Sequence, residues 1–144
     1  MSSAAEQLQT AEVELCKQLE DALEVPGGSS IPISQASSSR EALYNIANRV
    51  GTKFGYNSPE YSKAWAVYEG TTPAWDAYVE ARAKYNGTLP QAEVLRNAIQ
   101  EFFGITAKEG TEENAFFDCA AKCDEEKYTE LLPFWVAFEA ARVK

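Results

Sequence analysis

Residues 73–84 read PAWDAYVEARAK, and residues 133–144 read PFWVAFEAARVK. Pro73/Pro133, Trp75/Trp135, Ala77/Ala137, Ala81/Ala141, Arg82/Arg142 and Lys84/Lys144 coincide without a gap, and Tyr78/Phe138 and Ala83/Val143 are conservative. Chance rarely keeps Pro, Trp and Arg in register over such a length, so the pair reads as an internal duplication. Working backwards, QAEVLRNAIQEFFG (91–104) parallels SREALYNIANRVG (39–51), with Glu93/Glu41, Leu95/Leu43 and Asn97/Asn45 in step. Each copy then holds three helical segments. No stretch alternates as a strand would. The expected fold is all-α: a duplicated three-helix unit preceded by an N-terminal helix and a linker.

The boundaries follow from punctuation. Residues 1–24 form the N-terminal helix; it contains no Gly or Pro, and Ala4, Leu8, Ala11, Leu15, Leu19 and Ala22 make a narrow stripe at roughly 3.5-residue spacing. Such a stripe either docks on the body or pairs with a second copy, so a homodimer through residues 3–24 is one expectation. Residues 25–39, VPGGSSIPISQASSS, read as a Gly/Pro/Ser linker. The first repeat takes 40–87. Ser38 and Glu41 have capping-box spacing, and Ala42, Leu43, Ile46, Ala47 and Val50 form an inner face that Gly51 terminates. Ser58-Pro59-Glu60 opens the next helix, which stops at Gly70, and Thr72-Pro73 opens the third. The second repeat takes 88–144. Val94, Leu95, Ala98, Ile99, Phe102 and Phe103 give its first inner face, and Thr111 caps a helix over 112–123 with Phe116, Ala120 and Cys123 inward. Pro133 falls inside the last helical pattern, where it kinks that helix or starts a new one.

Composition narrows the function classes. The net charge is −9, which repels phosphate backbones and anionic lipid and suits a basic patch on another protein. Nucleic acid is therefore not an expected partner. The chain has no histidine, which removes the commonest general base, metal ligand and pH switch. No apolar run approaches the roughly 18 residues a membrane span needs. The N-terminus lacks the basic start and apolar core of a secretory signal. A soluble protein is expected.

The residues that could carry chemistry are few. Cys119 and Cys123 have helical i,i+4 spacing, which stacks two sulfurs on one face. They read as core thiols or as a redox pair; a zinc site would need further ligands, and only Cys16 remains. Glu112, Glu113, Asp118, Asp124, Glu125, Glu126 and Glu130 read as solvated helix starts. No phosphate-cradling loop or nucleophile motif is present. A non-enzymatic protein without cofactor or metal is expected. Trp75 and Trp135, at equivalent sites, read as core. Trp65 differs, because its counterpart is Ala120: the shared architecture does not demand an indole there. It fills space or marks a partner surface, and Tyr61 and Tyr68 share its helix.

SPEYSKAWAVYE (58–69), preceded by the EAL-containing helix and a glycine, resembles the small Calvin-cycle linker protein family, whose N-terminal hairpin carries S-P-E-C-x-x-A-W-D-x-V-E. Ser58, Pro59, Glu60, Ala64, Trp65 and Glu69 match, while Tyr61, Ala66 and Tyr68 stand where the family has Cys, Asp and Val. The resemblance covers residues 41–69 and implies a partner-binding helix pair. The family bridges phosphoribulokinase and glyceraldehyde-3-phosphate dehydrogenase, so it implies a carbon-fixation or photosynthetic enzyme as partner. It also implies a place in the chloroplast stroma, the cytoplasm being the alternative. Together with the unmatched Trp65 and the aromatics on its helix, it makes Glu60, Tyr61, Trp65, Tyr68 and Glu69 the candidate partner-binding residues, and the missing cysteine leaves no first redox loop.

Overall fold

The computed structural model describes residues 3–27 and 29–143, and among these it is all-helical. The order is α1 (Ala4–Ala22), a short 3-10 turn (Ile33–Gln35), α2 (Ala36–Phe54), α3 (Pro59–Gly70), α4 (Thr72–Gly87), α5 (Pro90–Phe103), α6 (Glu112–Ala120) and α7 (Glu125–Ala141). The chain divides into two compact units, one comprising Glu6–Val79 and the other Met1–Ala5 with Glu80–Lys144. The division falls inside α4, not at the repeat boundary after residue 87 that the sequence suggests.

In the first unit, α1 buries the leucines of its stripe, Leu8, Leu15 and Leu19, and leaves Val13 64% exposed. The chain itself therefore covers the leucines of the stripe, while Ala4, Ala11 and Ala22 stay partly exposed. The linker is shorter than its composition implies. Ala36 is 1% exposed, so burial draws the start of α2 back into the Ser-rich stretch. Ser38 consequently lies inside the helix and its hydroxyl donates to the Gln35 carbonyl, so Ser38 and Glu41 form no capping box. Nor does Gly51 end α2. The helix runs on to Phe54 and closes at Gly55, which takes φ 97°. Gly51 is buried for another reason: a Cβ there would stand 2.5 Å from the Tyr56 ring and 2.9 Å from the Tyr61 ring. The sequence reading of α3 holds, with Ser58 Oγ accepting from the Tyr61 amide at 3.1 Å and Pro59 in the first turn. α3 packs along α2.

The second unit is a three-helix core of Ala92, Leu95, Ala98, Ile99, Ala115, Phe116, Cys119, Leu131 and Phe138. α5 closes on Gly104 in the left-handed region at φ 67°. α7 is one helix with Pro133 inside it. Trp135 stacks on Phe116 with centroids 4.3 Å apart and planes 2° off parallel. Asn86, 5% exposed, ties α4 to the chain end: its amide donates to the Val143 carbonyl at 2.9 Å, and its oxygen accepts from the Val143 amide at 2.8 Å.

Three expectations fail in this unit. Glu112 is no solvated helix start; it is 2% exposed, its two oxygens accept from the Gly110 amide at 3.0 and 2.9 Å, and Arg96 stands 3.4 Å away. Thr111 sits at the N-cap position of α6, but its hydroxyl donates to the Lys108 carbonyl and makes no side-chain cap. α6 ends at Ala120, so Ala120 and Cys123 are exposed and Cys123 takes φ 58°, outside any helix. Elsewhere Ile46 and Val94, expected inward, are 40% and 49% exposed.

The two sequence copies share helix order but not one packing scheme. α2 packs chiefly on α3, whereas α5 packs chiefly on α7. What they share is local. Leu43/Leu95, Ala47/Ile99 and Tyr78/Phe138 are buried in both copies. Trp75 and Trp135, expected as core, are each half-buried. Trp75 lies 5.8 Å from Tyr78 at 50°, and Trp135 lies 5.9 Å from Phe138 at 48°.

Candidate functional site

The aromatic face of α2 and α3

The expected partner-binding residues all lie on α3, a helix that buries none of its residues. Spacing places them. Tyr61, Trp65 and Tyr68 recur at helical intervals of three and four, so their rings share one face. Tyr44 of α2 meets that face, 5.9 Å from Trp65 and 5.5 Å from Tyr68, both edge-on. Trp65 lies 5.2 Å from Tyr68 and 6.1 Å from Tyr61, and Tyr61 lies 5.0 Å from Tyr56. These separations are those of mutually attractive aromatic pairs. Five rings thus form one continuous row.

The row is not interior. Tyr56 is 55% exposed and Tyr44 42%, while Tyr61, Trp65 and Tyr68 are half-buried. The rings cover one another's faces and edges but leave much of their area to water. Gly51 makes the row possible, since any side chain there would displace Tyr56 and Tyr61. The Trp65 Nε1–H donates to Glu69 Oε1, which fixes the tilt of the indole. Glu60, at the positive end of the α3 dipole, is exposed and lies on the same helix.

The row leads through Tyr68 to Arg40 and Trp75. The Arg40 guanidinium sits 4.8 Å from the Tyr68 centroid and 5.3 Å from that of Trp75. Its Nε donates to Thr71 Oγ1 at 3.2 Å and its Nη2 to Thr72 Oγ1 at 2.8 Å. A groove of about 270 Å³ opens here, lined by Ser37, Arg40, Glu41, Tyr44, Tyr68 and Trp75.

Tyr44, Tyr56, Arg40 and Gly51 are members of this site that the sequence reading does not single out. One signal was present: YSKAWAVY carries aromatics at two consecutive helical intervals, which asks for an aromatic partner on a neighbouring helix. Which residue answers depends on how α2 lies against α3.

The cysteine pair behaves differently. Cys119 is fully enclosed in the second core, whereas Cys123 is exposed, so the sulfurs do not stack on one helical face. Both are free thiols, as is half-buried Cys16. Burial pushes the Cys119 thiol up, helped by the Asp118 charge and opposed by Lys122. Burial likewise raises Cys16, with Glu20 and Glu12 adding to it. Among the described residues no three His, Cys, Asp or Glu side chains gather as a metal site, and no helix is long and apolar enough to cross a membrane.

A scan against protein-family models finds no match, and searches of curated proteins and of solved structures find none either.

Proposed function

We propose that the chain is a non-enzymatic protein-binding module whose docking surface is the aromatic face of α2 and α3. The observation that carries this reading is the row of rings from Tyr56 to Tyr68, held in mutual contact yet left partly in water. A contiguous apolar surface on a soluble helix pair is the usual mark of an interaction site. Tyr and Trp dominate the binding energy of such sites because they bring large area at low entropy cost. Glu60 and Glu69 flank the row and suit basic groups on the partner. The partner is another protein. The resemblance of residues 41–69 makes a carbon-fixation enzyme the first to try, which would put the chain in the chloroplast stroma.

Trp65→Ala tests the reading. The indole is half-buried and touches three other rings, so its loss should cost about 1–2 kcal/mol of stability. Partner affinity should fall by about 2 kcal/mol or more, roughly thirtyfold. Titration of the purified partner against both proteins measures this. An unchanged affinity in a folded variant would remove Trp65 from the interface and this reading with it.

A further inference from the structure

The two arginines that cap the repeated tryptophans are satisfied differently. In the second unit, the Arg142 guanidinium lies 5.2 Å from the Trp135 centroid and 5.7 Å from that of Phe138. It is also paired with two carboxylates: Nη2 stands 2.8 Å from Glu139 Oε1, and Nη1 stands 3.2 Å from Glu113 Oε2. In the first unit, Arg40 lies over the equivalent tryptophan, Trp75, and over Tyr68. There the acceptors are the neutral hydroxyls of Thr71 and Thr72, and among the described residues no carboxylate pairs with it.

A half-buried guanidinium clamped by two hydroxyls and two rings has little freedom left to lose on binding. Nη1 donates to no protein acceptor among the described residues, and a groove opens beside it. In an acidic chain with charges available nearby, this is a receptor fixed in place before its anion arrives. The aromatic walls formed by Tyr44, Tyr68 and Trp75 admit apolar carbon next to the charge.

We propose that the Arg40 groove receives an aspartate or glutamate carboxylate from the docking partner, with an adjacent apolar side chain against Tyr44 and Trp75. This rests on the docking reading and refines it: the partner segment is acidic at the Arg40 end, whatever basic groups meet Glu60 and Glu69. Glu41 lines the same groove and opposes a free small anion, so the apolar neighbour supplies part of the affinity. Its charge is exposed, which screens that opposition.

The test uses the full chain, labelled with nitrogen-15, and the probe acetyl-Leu-Glu-Leu-amide, with acetyl-Leu-Gln-Leu-amide as its neutral control. The Arg40 Nε–H and Trp75 Nε1–H resonances should shift saturably with the Glu peptide, with a Kd on the order of 1 mM. The Gln peptide should bind at least about tenfold more weakly, since the interaction it loses is a charge-assisted one. Inorganic phosphate should fail to saturate those resonances over the same range. Arg40→Met should abolish the Glu-peptide response elsewhere in the groove, and if that variant does not fold, the contrast between peptides on the native chain still decides. Equal response to both peptides, no response to either, or phosphate outcompeting the peptide would each overturn the inference. The docking reading falls separately, through Trp65→Ala. If that variant loses the partner while Arg40→Met keeps it, docking stands and the carboxylate receptor does not.

Discussion

At the scale of single residues, the roles divide by what each side chain touches. Glu69 and Glu60 both flank the aromatic row, yet they should answer differently to charge reversal. Glu69 holds the Trp65 indole through Nε1, so Glu69→Lys frees the ring as well as changing charge. Glu60 makes no such contact with the row, and Glu60→Lys should slow association while leaving stability nearly unchanged. The effect should fade as salt rises, which stopped-flow rates at two ionic strengths would measure. The thiols make a second contrast. Cys123 should react at once with a thiol reagent in the native protein, Cys16 more slowly and Cys119 only on unfolding. The raised Cys119 value means that the folded chain holds this proton more tightly than the unfolded chain. Its contribution is therefore complete below the ordinary thiol value of 9.0 and is lost as pH rises through the higher folded value. The fall in Tm between neutral pH and pH values above 9 should be smaller in Cys119→Ala than in the native chain; an identical fall would assign the alkaline loss to other groups. The sequence identified Cys119 as a core thiol correctly and paired it wrongly with Cys123, because i,i+4 spacing means a shared face only while the helix lasts.

At the scale of elements, helix existence was legible and helix ends were not. Leu8, Leu15 and Leu19 recur at the interval that buries one stripe, and they are buried. Ser58-Pro59 starts α3 because a hydroxyl acceptor and a preset φ both serve a first turn. The start of α2 misled because three serines look like linker, while burial of Ala36 and the bond from Ser38 to Gln35 extend the helix through them. Gly51 misled in the other direction, since a glycine near a helix end suggests a stop. Its role is the close approach of Tyr56 and Tyr61, which only the packed structure reveals. Gly51→Ala is then a sharp test of the element. Helix propensity alone would favour alanine by about 1 kcal/mol. The clash with both rings should reverse that sign and disturb the near-ultraviolet signal of the aromatic row. A more stable variant with an unchanged spectrum would mean the rings do not rest on α2.

At the scale of the whole chain, the sequence similarity of the two halves recurs in local features and not in how the helices pair. Trp75 and Trp135 each stand three residues before a buried ring, and each lies beneath an arginine, Arg40 of α2 in one case and Arg142 at the end of α7 in the other. The halves differ in which helices pair, and in the first copy's aromatic row. That row was only partly legible: Trp65 stood out because Ala120 replaces it, but Tyr44 and Arg40 join it through the fold. The second unit also exposes apolar side chains, Phe117 at 52% and Val136 at 57%, which gives the account a rival surface. Self-association through α1 has less to draw on, since its leucines are already covered. The most direct test is hydroxyl-radical footprinting of the full chain, alone and saturated with the protein it captures. The account predicts protection at Tyr44, Tyr56 and Trp65, with Phe117 and Val136 as reactive as in the free chain. Protection confined to Phe117 and Val136, with Trp65 still fully reactive, would contradict it.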